Sequence, residues 1–295
     1  MTPTHTPVLL AETVALLQPR ADGWYVDGTL GLGGHTEALL DAGAGHVIGI
    51  DRDTEALHVA RTRLARFGGR VRFVHADYRT LPDVLAAEGR ERVDGVLVDL
   101  GVSSLQLDAA ERGFSFRNDG PLDMRMDQSR GASLAERLAD VDETTLADVI
   151  YRFGEERKSR RVARAIVEAM ARGPLTGTAE LASVVRRAIG GGWQRVDPAT
   201  RTFQALRIWV NGELDGLESF LETAVASVAV GGRVAVIAFH SLEDRIVKQT
   251  WRRLAQQESA PVTVVTRRPV VPGEDEAAAN PRARSARLRV VERVA

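Results

Sequence analysis

The residues most able to do chemistry begin with the run Asp27-Gly28-Thr29-Leu30-Gly31-Leu32-Gly33-Gly34-His35, which follows a short apolar stretch and precedes a helical pattern. Glycines between a strand and a helix let the backbone pass close to a ligand, and the helix start offers free N–H groups. About twenty residues later a second apolar run ends in Ile50-Asp51, where a carboxylate can accept both hydroxyl protons of a ribose. The alternative for Asp51 is to cap the next helix, a job for which Asp53 is better placed. The turn is not a strict G-x-G-x-x-G, since Thr36 stands where the last glycine would fall counting from Gly31. It therefore admits either a nicotinamide dinucleotide or S-adenosylmethionine.

Two further apolar runs end in His75-Ala76-Asp77-Tyr78 and in Val98-Asp99, the latter followed by Leu100 to Gln106. Ligands of open α/β sheets bind beyond the carboxyl ends of the strands, so these residues are expected to converge on the glycine turn. Tyr78 either packs on an adenine ring or covers the sheet edge. His35 reads as a helix-start residue, and no metal site is expected because no second ligand lies at suitable spacing. Asp123, Arg125 and Asp127 read as a salt-bridged scaffold, and Ser241 with Asp244 as a helix cap. Phe114 and Phe116 either stack on a flipped base or pack locally. Two basic clusters stand out: Arg157, Lys158, Arg160, Arg161 and Arg164, and Arg282, Arg284, Arg287, Arg289 and Arg293.

Those residues need a sheet to hold them. Strand patterns fall at Trp24 to Val26, His46 to Ile50, Val71 to His75 and Val93 to Val98, alternating with helical spacing at Thr36 to Leu40, Thr54 to Arg66 and Leu81 to Glu88. This is the signature of a doubly wound parallel sheet. From about Leu105 a polar loop runs to Gly131, and helical segments then dominate to about Gly212, with candidates at Ser133 to Leu138, Thr144 to Tyr151, Lys158 to Arg172 and Thr178 to Ile189. A helix around Leu214 to Val228, the strand Arg233 to Ala238, a helix Leu242 to Gln256 and strands near Val262 to Val265 and Arg287 to Val294 then restore the α/β pattern. The late strands must join the first sheet, so residues 105–212 are expected to be an inserted loop and helical domain between 1–104 and 213–295. Pro269 to Arg284 reads as an exposed loop.

Composition sets the outer bounds. With 44% hydrophobic and 27% charged residues the chain has enough apolar material for a sizeable core. It has no cysteine, which removes disulfides and thiolate chemistry. No apolar stretch approaches the roughly 20 residues of a membrane span and no export signal is visible, so a cytoplasmic protein is expected. The net charge of −1 leaves attraction to nucleic acid to local patches.

Several runs are more specific than any glycine turn: His5-Thr6-Pro7-Val8-Leu9-Leu10, Thr29 to His35, Asp51-Arg52-Asp53, Asp99 to Ser104, Glu111 to Phe116 and Gly120 to Asp127. Phe203 to Ile208, Phe239 to Arg245 and Asn280 to Ser285 continue the series over nearly the whole chain. In these runs the chain closely resembles the ribosomal RNA small subunit methyltransferase H family. The resemblance implies an α/β, Rossmann-like seven-stranded methyltransferase sheet with an inserted all-helical domain. It implies S-adenosylmethionine-dependent N4-methylation of one cytidine in 16S rRNA, at the decoding region, with the rRNA partner held within a small-subunit particle. Carried over by position, the cofactor residues would be Gly33, Gly34, His35, Asp51, Tyr78, Asp99 and Gln106, with Tyr78 where many members carry Phe.

Direct transfer to an amine needs donor and acceptor held in line, with an acceptor for the amine N–H groups. Asp99 or the carbonyl of Leu100 is the candidate, although Leu100-Gly101-Val102 lacks the Pro-Pro-aromatic continuation common in amino-methyltransferases. Phe114 and Phe116 are the stacking candidates, and Arg160, Arg161 and Arg164 the phosphate contacts. A nicotinamide dehydrogenase and an RNA-binding protein with a vestigial nucleotide site are the rival readings.

Overall fold

The computed structural model describes residues 7–190 and 196–295. His5 and Thr6 of the first motif, and Gly191 and Gly192 after the helix expected at Thr178 to Ile189, lie outside the described residues. The chain divides into two compact units: residues up to Gly101 together with Gly216–Ala295, and Val102–Asp215.

The first unit is a seven-stranded sheet of β1 (Trp24–Asp27), β2 (His46–Asp51), β3 (Val71–His75), β4 (Val93–Asp99), β5 (Val228–Ala238), β6 (Val262–Val264) and β7 (Arg287–Arg293), in the order β3-β2-β1-β4-β5-β7-β6. Neighbours from β3 to β5 are parallel, and β7 is antiparallel to both β5 and β6. Helices α1 (Leu10–Leu17), α2 (Gly34–Asp41), α3 (Thr54–Arg63) and α4 (Leu81–Ala87) precede the insertion. The apolar runs of β1, β2 and β4 are buried almost throughout, as expected for strands covered on both faces. Leu39, Leu57, Leu97, Ile237 and Leu288 share one core cluster, so the strands after the insertion do complete the first sheet.

The order of strands reverses between β1 and β4, and the loop after β1 is stitched to the strands on either side. Gly28 N donates to Leu97 O (2.8 Å) and Leu30 N to Ile50 O (2.9 Å). Backbone bonds thus fix the glycine turn at the place where a crevice opens in this topology.

The second unit holds α5 (Ser104–Asp108), α6 (Leu134–Asp140), α7 (Glu143–Gly154), α8 (Ser159–Arg172), α9 (Thr178–Ile189) and α10 (Ala199–Asn211). Leu146, Ile150, Val162, Ile166, Leu181, Val185, Phe203 and Leu206 build its own core. Its long loop is ordered. Leu122, Met124 and Met126 alternate inward while Asp123 holds Arg125 through 2.8 Å bonds to Nε and Nη2. Arg112, 3% exposed, donates to the carbonyls of Arg125 and Met126, and Asn211 of α10 pairs with Met126 N and Met124 O.

The chain returns to the first unit with α11 (Leu217–Ser227), α12 (Ser241–Ala255) and α13 (Glu274–Ala279). Three expectations need correction here. The stretch 269–284 is not plain loop: α13 forms because three acidic residues in its first turn favour the helix dipole, and a 3-10 turn Pro281–Ser285 buries Ala283. β5 begins at Val228 rather than Arg233, running through the Gly231-Gly232 pair that masks it. The cap of α12 is His240, not Ser241: Glu243 N donates to His240 Nδ1 and the Glu243 carboxylate accepts from His240 N. Asp244 is taken instead by Arg289 (2.6 Å) and Arg287 (2.9 Å).

Candidate functional site

At the carboxyl edge of the sheet, Asp51 ends β2 and takes a backbone N–H on each oxygen, from Gly31 (2.7 Å) and from Asp53 (2.8 Å). Asp53 itself caps α3, accepting from Glu55 N and Ala56 N, so the capping job is filled. Burial pushes the Asp51 carboxyl up to about 6, against the pull of those two N–H groups. An oxygen with one bond keeps a lone pair for another, so Asp51 can still accept hydroxyl protons.

The start of α2 shows why glycines stand there. Gly33 has φ 79°, and a Cβ on it would come 2.9 Å from Leu64 Cδ1. A Cβ on Gly34 would lie 2.3 Å from Pro7 Cγ. Among the described residues no side chain caps this helix, so its first N–H groups are able to meet a ligand.

Asp27 and His35 are buried at the ends of β1 and β4, and the partly exposed Asp99 stands beside them. Asp27 is 1% exposed; its oxygens accept from Thr36 Oγ1 (2.8 Å) and Thr29 N (3.3 Å). Desolvation raises its pKa, opposed by the nearby His35 and those hydrogen bonds. Thr29 also ties the two strands, because its hydroxyl accepts the Asp99 N–H at 2.6 Å. His35 Nε2 lies 3.5 Å from Asp99 Oδ2. Both ring nitrogens of His35 and Asp99 Oδ1 are buried without a hydrogen-bond partner. Asp27 was not singled out by its sequence context, where it reads as the lead-in to the glycine run; nothing in one sequence marks a strand-end carboxylate as fully buried.

Tyr78 follows β3 on a short 3-10 turn capped by Asp77. Its ring is 7% exposed and packs edge-on against Phe220 of α11, with centroids 4.6 Å apart. Burial raises the phenol pKa, so the group is a neutral hydroxyl.

Gln106 lies in the second unit, where it closes a capping box with Ser103 at the start of α5. Phe114 belongs to the core of that unit at 6% exposure, the local packing that is one of its two readings beside base stacking. Phe116 packs edge-on against Phe203 at 4.7 Å, with Arg186 over its other face, so this ring too is engaged in packing. On α8 the apolar positions Val162, Ala163 and Ile166 point inward and Arg160, Arg161 and Arg164 are exposed. Arg164 pairs with Glu143 at 3.3 Å, and Lys158 donates to Ile189 O.

A family model described as the MraW methylase family matches residues 2–294. Among relatives, the ribosomal RNA small subunit methyltransferase H of Sorangium cellulosum is 54% identical over 98% of this chain and 91% of its own. The protein of the same name from Nitrobacter winogradskyi is 51% identical over 98% and 90%, and that from Geobacter sulfurreducens 50% over the full length of both. With a family model over almost its whole length and relatives identical at half of its residues or more, the chain belongs to the MraW methylase family.

Proposed function

We propose that the protein transfers a methyl group from S-adenosylmethionine to the exocyclic N4 of a cytidine in 16S rRNA, at the decoding region and within a small-subunit particle. The observation that carries the site is the set of orphaned polar atoms beside the switch point, His35 Nδ1 and Nε2 and Asp99 Oδ1. Buried polar atoms in native proteins are nearly always paired, so these mark where a polar ligand completes the structure. The names of the relatives support the RNA as acceptor. The position within it rests on the motif resemblance.

The crevice fits the cofactor. S-adenosylmethionine, when bound, supplies an electrophilic methyl group on a sulfonium. Asp51 would hold the ribose hydroxyls, the uncapped start of α2 at Gly34 and His35 would receive the carboxylate, and Gly33 keeps that approach open. Tyr78 offers an apolar wall, and Gln106 is a further contact by motif position.

The target amine is a poor nucleophile because its lone pair is delocalised into the pyrimidine ring. Asp99 accepts one of its N–H groups, which turns the lone pair toward the methyl and raises electron density on nitrogen. Alignment supplies most of the acceleration. Once the new N–C bond exists the amine carries a surplus proton, and Asp99 takes it, with His35 Nε2 3.5 Å away. Residues 105–212 recognise the RNA, with Arg160, Arg161 and Arg164 as phosphate contacts.

Incubating the protein with labelled S-adenosylmethionine and unmethylated small subunits tests this directly. The product expected after nucleoside digestion is N4-methylcytidine at one site. Label on a ring carbon, a ribose oxygen or nowhere contradicts the reading.

A further inference from the structure

The second basic cluster, Arg282 to Arg293, is not one patch. Arg289 and Arg287 are consumed by Asp244, and Arg293 donates to backbone carbonyls of Ala226 and Val228. Arg284 differs: it is exposed, its Nε lies along the carbonyl of Ala277 at 3.4 Å, and none of the carboxylates of the described residues pairs with it.

Arg284 lines a cleft of about 390 Å³. Phe239, Val271 and Pro272 give the cleft an apolar side; Ser241 and Ser285 bring hydroxyls, and no acidic residue lines it. Val271 is 57% exposed, an apolar side chain with nothing over it in this unit. The volume lies in the range of small-molecule sites and suits one nucleotide.

Location links the cleft to the methyl-transfer site. Phe239 directly follows β5, and β5 pairs with β4 so that Asp99 stands opposite Ile237. Leu100 N donates to Ile237 O at 2.9 Å, and a Cβ on Gly101 would touch the Phe239 ring at 3.7 Å. Adjacent strands are ~4.8 Å apart, so the cleft opens on the same carboxyl edge one strand beyond Asp99, on the side away from Asp51. That is the side left for the acceptor.

We infer that this cleft is a second nucleotide subsite, which takes a residue of the RNA strand flanking the target, its base against Phe239 and Val271 and its phosphate on Arg284. The inference rests on the proposed RNA substrate and adds a subsite to it. An aromatic face with apolar flanks accepts any base, while Arg284, beside the Asp244-paired Arg287 that also lines the cleft, fixes backbone position, so the subsite sets register rather than sequence. It would hold the strand at a second point, keeping the splayed cytidine from sliding past Asp99.

The test measures binding of a fluorescent single-stranded RNA of about ten nucleotides, spanning the target sequence, to the full chain over a salt series. Arg284→Glu should weaken binding about tenfold and reduce the salt slope by about 0.7, the share of one single-strand phosphate contact. Val271→Asp should weaken it through the apolar side, and Arg284→Lys should retain most affinity. S-adenosylhomocysteine affinity, measured in parallel, should stay at the wild-type value in all three, which shows the first unit is folded. Unchanged RNA affinity and slope in both Arg284→Glu and Val271→Asp overturn the subsite. So does saturation by cytidine monophosphate that leaves oligonucleotide binding untouched, since the cleft would then serve a free nucleotide. Failure of the wild type to bind S-adenosylhomocysteine would instead count against the proposed function.

Discussion

In the proposed reaction Asp51 and Asp99 carry different duties, and their surroundings separate them. Asp51 is pushed up to about 6, so in the free protein it is neutral below that pH and ionised above it. Only the ionised form accepts hydroxyl protons on both oxygens. Cofactor affinity should therefore rise as pH increases through about 6, and calorimetry with S-adenosylhomocysteine should show this slope in the wild type and lose it in Asp51→Asn. In the proposed reaction Asp99 acts on the amine, so Asp99→Asn should lower the transfer rate by about 10²-fold or more. Its loss in rate should exceed its loss in cofactor affinity, a split that single-turnover kinetics can read. The carboxylates Asp51 and Asp99 are legible from sequence because each ends an apolar run. Asp27 and Arg112 are not, since their burial depends on how the whole fold packs around them, and the local His240 cap is hidden because the neighbouring Ser241 is the commoner capping type.

At the scale of elements, the site depends on how α2 and α12 are seated. Gly34→Val would drive its Cβ into Pro7, and overpacking of this kind costs about 1–3 kcal/mol, measurable by urea unfolding. Asp244 anchors α12 to β7 through Arg289 and Arg287. Burial works to raise its pKa, but the two guanidiniums outweigh that and hold it below the ordinary carboxylate range. Its contribution is thus present above the unfolded pKa and lost as pH falls through the depressed folded value. Asp244→Ala leaves Arg289 buried and unpaired, and breaking such a pair costs about 3–5 kcal/mol, a difference that should shrink in acid. Elements with sharp borders were the most legible. β3 stands where Val71 to His75 reads as a strand, and α9 fills Thr178–Ile189 because Gly177 and Gly190 bracket it. α13 hid in a stretch rich in Pro, Gly and charge, where only the acidic first turn and the run of alanines betray a helix.

For the whole molecule, a net charge of −1 means that RNA is attracted by patches and not by the overall field. Arg157, Arg160 and Arg161 are exposed on or beside α8, and replacing all three with Gln should lower the salt slope of RNA binding by about 2. The same variant should bind S-adenosylhomocysteine normally. No helix of the described residues is long and apolar enough to cross a membrane. The interrupted sheet was readable as a whole because helical and α/β patterns differ in period over long stretches. The crevice could not be fixed by the residues alone, because ribose binding looks alike in two cofactor classes.

The central claim is most directly tested by mass mapping of methylated nucleosides in 16S rRNA from cells with and without this protein. The account predicts loss of one methyl group from the N4 of a single decoding-region cytidine, restored by the wild-type chain and not by Asp99→Asn. Loss of a methyl from a ring position or ribose, with every N4-methylcytidine intact, would contradict it.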